Sequence, residues 1–343
     1  AGDKASRPDA TFYIGGASPG WVVSQTWPPP NLRKRPLWLT GDGGLSPFEP
    51  EPPGKAGSCL RQLPRPSGVH GHLWAGNSRY VTMIKAMDPI GYTWKAPPQD
   101  TYIMYESGPL EDPVTIVGTP VLSLRLRSVL PRAAALDDES QQFLRAEESD
   151  LGRAAPDADV FAYLCARSEG GPPVYISEGQ LRLSHRAEAD QPGEVAAADC
   201  EVASDETARR AAAADCRGGK DPYHTFLLGD KQPLPAEDGV GFSARISLLP
   251  VGYRFDRGVT LALIITTDDV AHFRANPALA EAPPNSELPS ICHGLYEPSL
   301  LWLPVLPELD ARLKPGQCPP SPFTSPPCSP ASKTKFADDS AEN

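Results

Sequence analysis

Hydrophobic and polar residues alternate most clearly between 242 and 273, and this stretch predicts the centre of the fold. In 242–248, apolar side chains alternate with polar ones such as Arg245, which is the two-residue period of a half-buried strand. In 259–266, both alternating faces are apolar or carry threonine, so we expect a strand that is covered on both sides. The connector 250–258 is too short for a helix and ends in glycine, which predicts a turn.

Shorter apolar segments with strand-like composition occur on both sides of this centre. They lie at 11–16, 36–40, 79–84, 101–105, 114–129, 157–167, 174–186 and 300–309. Within 114–129 we expect Val121 on the inner face, with Leu122, Leu124 and Leu126 as its partner register. Prolines interrupt 300–309, which favours an edge position for that strand. Many short strands with turn signals predict an all-β fold, a jelly-roll β-sandwich of the galactose-binding-domain-like type.

The strand pattern also predicts how the chain divides. We expect a disordered N-terminus at 1–10, one β-sandwich at 11–312 and a disordered, Pro/Ser-rich tail at 313–343. Two insertions interrupt the sandwich. The first, 131–157, has the composition of a surface helix or a disordered loop, and the second, 187–220, that of a solvated, alanine-rich and acidic loop. Residues 46–78 are rich in proline and glycine and are expected to be irregular.

Composition and charge narrow the functional classes. The 41 prolines and 29 glycines suit loops and short strands rather than helices. A net charge of −11 disfavours a nucleic-acid partner, which would need a basic face. No apolar run is long enough for a membrane span. Because the sequence lacks an initiator methionine and a signal-peptide pattern, we expect a processed or truncated product.

The seven cysteines leave the compartment open. Cys165 lies in a strand-like segment and is most simply a small buried hydrophobe. Neither a CxxC pair nor a zinc-type Cys/His spacing occurs in the sequence. Disulfides among the remaining cysteines stay open, and the odd number leaves at least one thiol free or paired with another chain.

One segment has the form of a nucleophile elbow. The residues 16–20 fit the pattern Gly-x-Ser-x-Gly around Ser18, and a short strand precedes them. However, the residue after the nucleophile must supply an oxyanion-hole N–H, and Pro19 has none. The prolines that follow Trp27 also prevent the helix that an elbow requires. A turn is therefore favoured, and we assign no catalytic residue.

Metal and cofactor sites are not indicated. His70 and His72 could place two imidazoles near an ion, but a zinc site needs three or four protein ligands. Asp268 and Asp269 end the central strand. Two carboxylates alone do not complete a calcium site, because calcium takes six or more oxygen ligands. A solvated loop and a polar strand terminus are the simpler interpretations, so we expect no metal and no cofactor.

Three aromatic residues on predicted loops, Trp74, Tyr92 and Trp94, are candidates for contact with a partner. Aromatic rings of this kind stack on ligands or sugar rings, and they also pack between domains. We favour a domain interface, with ligand stacking as the alternative.

The order of several short motifs resembles the C-terminal jelly-roll domain of the Xaa-Pro dipeptidyl-peptidase/cocaine-esterase family of serine hydrolases. The residues that carry the resemblance are Gly16, Trp21, Trp27, Pro28 and Pro29 before 37–39; Tyr105, Ser107, Pro109, Leu110 and Glu111; Gly118 and Pro120; 159–164; 176–182 with His185 and Arg186; and Pro250, Tyr253, Phe255 and Gly258. The match covers roughly 12–276 apart from the insertions. The chain departs from the family at Val259 and Thr260, where basic residues are usual.

The resemblance implies an accessory role. In this family the catalytic Ser, Asp and His lie on an α/β-hydrolase domain that precedes the jelly roll. We therefore expect this chain to pack on such a catalytic domain, located upstream or on a separate chain, to shape one wall of its substrate cleft and to help subunits form a homo-oligomer. The alternative is a non-catalytic carbohydrate-binding or assembly module that kept the jelly roll without the hydrolase.

Overall fold

Fifteen β-strands and two short 3-10 turns, Leu183–His185 and Leu228–Asp230, make up the regular structure of the described residues. The computed structural model describes residues 10–17, 19–24, 26–50, 59–64, 101–128, 157–189, 221–235, 237, 239–269, 273, 276, 288–293 and 298–307. The strands are β1 (Ala10–Gly16), β2 (Gly20–Ser24), β3 (Arg33–Leu39), β4 (Leu45–Ser46), β5 (Cys59–Gln62), β6 (Tyr102–Pro109), β7 (Val114–Gly118), β8 (Val121–Arg127), β9 (Asp159–Arg167), β10 (Val174–Arg182), β11 (Gly241–Ser247), β12 (Val251–Phe255), β13 (Thr260–Thr266), β14 (Ser290–His293) and β15 (Leu300–Val305).

The strands form two sheets. The larger, eleven-stranded sheet follows the order β2-β1-β12-β7-β15-β8-β14-β5, with β11 paired to β8, and β3 paired to both β15 and β4. The smaller sheet has the order β10-β9-β13-β6. One hydrophobic core contains side chains from both sheets, for example Leu124 of β8 and Leu164 of β9. The predicted all-β sandwich is therefore confirmed.

Strand β13 lies at the middle of the small sheet, as its double-sided apolar pattern predicts. It pairs antiparallel with β6 on one side and with β9 on the other. Leu261, Leu263 and Ile265 point into the core between the sheets. On the opposite face, Ala262 and Ile264 are also buried, in a separate cluster with residues of β9. A strand covered on both faces carries mostly apolar side chains, which is why its sequence stands out.

Two segments that were expected to be irregular contain strands. The predicted turn at 250–258 holds β12, which pairs antiparallel with β7 and parallel with β1. The predicted irregular stretch 46–78 holds β5, which pairs with β14. Both strands are short, and their partners lie far away in sequence, so local pattern gives little sign of them.

The predicted edge position of the last apolar strand is wrong, because β15 lies inside the large sheet. It pairs with β3 along one side and with β7 and β8 along the other. On that second side Trp302 is opposite Val121 of β8 and Val305 is opposite Ile116 of β7. Pro304 falls between these two pairings, beside the turn that joins β7 to β8. A proline can therefore occupy an interior strand here, since the ladder passes from one neighbour to the next at that point.

The inner-face assignment of β8 needs one correction. Leu122, Leu124 and Leu126 are buried in the core between the sheets, as expected. Val121 is also buried but belongs to the opposite face, where it packs with Trp38, Leu300 and Trp302. Both faces of the large sheet are thus apolar at this point.

Several predictions fall outside the described residues. They concern the strand at 79–84, the insertion at 131–157 except Asp157, residues 190–220 of the second insertion, and the terminal segments 1–9 and 308–343. No helix in the described part of the chain has the length and hydrophobicity needed to cross a membrane.

Candidate functional site

The site candidates taken from the sequence lie mostly outside the described residues. This holds for Trp74, Tyr92 and Trp94, and for His70 and His72. The described ranges contain no group of three or more His, Cys, Asp or Glu side chains that could hold a metal ion. Of the strand-end pair, Asp269 is buried and accepts a hydrogen bond from the Tyr163 hydroxyl.

The elbow-like segment 16–20 runs from the last residue of β1 to the first residue of β2, the two strands of a β-hairpin. Strands β1 and β2 pair antiparallel on either side of it, with Ile14 opposite Gly20. Ser18 itself is outside the described residues. Gly16 has a positive φ of 116°, and a Cβ there would lie 2.5 Å from the Arg254 carbonyl oxygen. Glycine is required because the hairpin end approaches β12 so closely. A nucleophile elbow leads from a strand into a helix, whereas here strand β2 begins at Gly20.

The hairpin has two unlike faces, and the inner one anchors it. Phe12, Ile14 and Val22 alternate along β1 and β2 on the face that packs against Val117 and Leu306. Ile14 is fully buried in this cluster. Burial of these apolar side chains fixes the hairpin on the large sheet.

The outer face of the hairpin is aromatic and exposed. Tyr13 and Trp21 are directly opposite each other, with ring centroids 5.4 Å apart. Tyr13 is 48%, Trp21 40% and Val23 54% exposed. We call these three residues the hairpin patch. Its signal in the sequence is the alternation of Trp21 and Val23 along one face of β2, a strand position rather than a loop.

A second notable region is the segment 176–186, which joins the two sheets. The Ser177 hydroxyl donates to the Leu249 carbonyl oxygen at 2.7 Å. Gly179 contacts the backbone of β11 so closely that a Cβ would lie 2.4 Å from the Ser247 oxygen. Arg182 donates from Nε and Nη2 to both carboxylate oxygens of Asp159, at 2.7 and 3.0 Å. This hydrogen-bonded carboxylate raises the pKa of Arg182.

Arg186 holds the loop 221–235 in place. Its guanidinium donates to the carbonyl oxygens of Gln232 and Pro233 and lies 5.2 Å from the ring centroid of Phe242. Burial lowers the pKa of Arg186. Ser177 and Arg186 of this segment therefore serve structural roles, as hydrogen-bond donors to backbone carbonyl oxygens.

Arg245 departs from the simple alternation of β11. Although it stands at a polar position of the pattern, its residue exposure is only 4%. Its Nη1 donates to Glu188 Oε2 at 2.9 Å, and His224 Nε2 lies 2.9 Å from its carbonyl oxygen. Glu188 belongs to the start of the predicted solvated insertion, but its side chain is largely buried against Arg245.

Cys165 fits its predicted role as a small buried hydrophobe. It is fully buried on the outer face of β9, among Phe161, Tyr163 and Ile264. Burial raises its pKa to about 12, so the thiol stays protonated near neutral pH.

Replacing Gly179 with alanine tests the close contact between β10 and β11. We expect Gly179→Ala to lower the free energy of unfolding by about 1–3 kcal/mol, the scale of overpacking. The added methyl group can avoid Ser247 only if one of the two backbones moves. The matched control is Gly229→Ala, because a Cβ at Gly229 would meet nothing within 4 Å. Denaturant unfolding that shows equal, small effects for both variants would contradict the contact.

The fold defines the class of the protein as an all-β sandwich domain. The family model of the X-Pro dipeptidyl-peptidase C-terminal non-catalytic domain matches residues 4–290, and the chain belongs to this family. The match confirms the resemblance seen in the motif order.

Similar proteins include hydrolases of bacteria and archaea. Two proteins named as serine esterases, from Mycobacterium bovis and Mycobacterium tuberculosis, are each 25% identical over 262 residues, covering 76% of this chain and 32% of theirs. The chain thus spans about a third of the length of these curated relatives.

Solved structures share the fold at lower identity. A CocE/NonD family hydrolase of Staphylococcus aureus has a TM-score of 0.52 at 15% identity, over 89% of this chain and 42% of that chain. An aminopeptidase of a marine sediment archaeon has a TM-score of 0.51 at 15% identity, over 88% and 41%.

Proposed function

We propose that this chain is the accessory β-sandwich domain of a serine hydrolase that cleaves esters, amides or Xaa-Pro peptides. Membership of a family of non-catalytic C-terminal domains carries the proposal. The mycobacterial relatives, named as serine esterases, are about three times as long as the part that this chain matches. Their additional length leaves room for a separate catalytic domain, which we propose has the α/β-hydrolase fold.

The hairpin patch is the surface that we assign to contact with this catalytic domain. In a C-terminal domain the catalytic domain precedes the sandwich, so the chain enters through β1, the strand that carries Tyr13. Exposed aromatic side chains on a strand pair fixed by its buried face are suited to a domain interface, since they bury a large apolar area with little loss of side-chain freedom. The role of the domain would be to support the catalytic domain and shape one wall of its cleft.

Substitution in the hairpin patch tests this proposal in the longer protein that is expressed together with the upstream coding sequence. We call this protein the long product. We expect Trp21→Ser to weaken the domain contact by about 2 kcal/mol, the scale of a buried aromatic at an interface. The readouts are the melting temperature of the long product and its rate of p-nitrophenyl acetate hydrolysis, and both should fall. In the chain alone, Trp21→Ser should cost no more than about 1 kcal/mol, the scale of its cross-strand pair with Tyr13.

Leu228→Ser is the matched control, because Leu228 is 83% exposed and lies in the 3-10 turn after Leu227, outside the hairpin patch. It should leave both the melt and the hydrolysis of the long product unchanged. If the Trp21→Ser variant of the long product keeps the melting temperature and the hydrolysis rate of the unmodified protein, the hairpin patch is not the interface.

A further inference from the structure

A pocket of about 390 Å³ lies on the outer face of the small sheet, at the end where β9 begins and β10 finishes. Asp159 and Phe161 of β9 and Gln180 and Arg182 of β10 line it, and Phe226 and Phe273 contribute from two separate loops. The register places Arg182 opposite Asp159 and Gln180 opposite Phe161. Polar and aromatic groups therefore face the same space, and the volume lies within the range of small-molecule sites.

The charges in this pocket are already paired. Arg182 and Asp159 form a two-point ion pair, in which Nε and Nη2 donate to the two carboxylate oxygens. A guanidinium has five N–H groups, so Nη1 keeps donors for a ligand, and the carboxylate keeps lone pairs that can accept. The pair is neutral as a unit. Asp159 would repel a free anion and Arg182 would repel a free cation, whereas a neutral ligand with hydroxyl groups can hydrogen-bond to both side chains.

The aromatic side of the pocket is held in place by the surrounding structure. Phe161 packs against Phe273, with ring centroids 5.0 Å apart. Phe226 is 58% exposed and has a φ of 55°, the left-handed region that bulky residues rarely adopt. Such a conformation persists only where neighbouring contacts fix it, and this occurs most often at functional sites.

Two histidines pack near the Phe226 ring. The rings of His185 and His224 both lie 5.9 Å from the Phe226 ring, centroid to centroid. His224 is itself fixed, since its two nitrogens lie 3.0 Å from the Ala187 carbonyl oxygen and 2.9 Å from that of Arg245. The exposed ring of Phe226 is thereby held at the rim of the pocket rather than collapsed onto the surface.

We propose that this pocket binds a neutral, polyhydroxylated ring, the chemistry of a sugar unit. The apolar C–H face of the ring packs on the Phe226 ring at the rim. Its hydroxyl groups donate to Asp159 and accept from Arg182 and from the Gln180 amide, which is exposed. This site lies on the small sheet, whereas the hairpin patch lies on the large sheet, so the two can be tested separately.

The test is titration of the full chain with methyl β-D-galactopyranoside, methyl β-D-glucopyranoside and methyl α-D-mannopyranoside, followed by saturation-transfer NMR and calorimetry. We expect saturable binding of at least one of these glycosides. Phe226→Ala and Gln180→Ala should each weaken that binding at least about tenfold, the effect of losing one well-made contact. Trp21→Ala in the hairpin patch should leave it unchanged. Thermal melts establish that each variant is folded.

Three results would overturn the proposal. One is the lack of saturable binding for all three glycosides. Another is binding that is the same in Phe226→Ala and Gln180→Ala as in the unmodified chain. The third is tighter binding of sodium acetate or glucuronate than of any neutral glycoside, because that would make the pocket an anion site.

Discussion

Replacing Leu263 with alanine is expected to lower the free energy of unfolding by about 2–5 kcal/mol, the range for large-to-small changes in a core. Leu263 is fully buried in the core between the two sheets. It stands opposite Leu164 of β9 and Tyr105 of β6, so the lost methyl groups leave a cavity that neither neighbouring strand can close. Denaturant unfolding monitored by tryptophan fluorescence measures the loss.

Thr260→Val is the control on the same strand. Thr260 begins β13 and is only partly buried, so a valine of similar size should change the stability by less than about 1 kcal/mol. Equal effects for the two variants would contradict the placement of β13 at the centre of the sandwich.

Removal of the Glu188 carboxylate is the second change with a large expected effect. The Arg245 side chain is 5% exposed and that of Glu188 15%, and their charged groups are 2.9 Å apart. Loss of one partner from such a buried pair removes a charge-assisted hydrogen bond from a desolvated guanidinium, so Glu188→Ala should cost about 3 kcal/mol. The loop around His224 should loosen as well, because His224 contacts the backbone at both Ala187 and Arg245.

The matched variant is Asp221→Ala. Asp221 pairs with Lys34 at 3.0 Å, but their side chains are 40% and 23% exposed. An ion pair open to solvent contributes no more than about 1 kcal/mol. If denaturant unfolding shows the same small loss of unfolding free energy for Glu188→Ala and Asp221→Ala, Glu188 does not belong to the folded core.

The most buried parts of the fold were the most predictable. Strand β13 is covered on both sides, and its sequence is therefore apolar on both alternating faces apart from the threonines at its two ends. The family resemblance depended on residues such as Gly179 and Arg182, whose backbone contact and ion pair explain why those residue types suit their positions.

Strands that depend on distant partners were harder to predict. The segment of β12 contains glycine, tyrosine and arginine, and it becomes a strand because β1 and β7 pair with it on either side. Pro304 suggested an edge, yet it occupies the point where β15 changes from one neighbour to the other. Neither outcome is visible in local propensity, since both depend on tertiary pairing.

The candidate sites illustrate the same limit. The hairpin patch could have been found from the alternation along β2 together with Tyr13, because the two strands are adjacent in sequence. The pocket could not, since Asp159, Arg182, Phe226 and Phe273 come together only through the sheet register and two distant loops.

A fluorophosphonate probe tests the proposal that this chain is a non-catalytic domain and that the hydrolase chemistry resides on a partner domain. The probe forms a covalent bond with activated serine nucleophiles. Applied to the purified chain and to the product that includes the upstream coding sequence, it should label only the longer one. Stable labelling of the chain alone, lost in Ser18→Ala, would contradict the account.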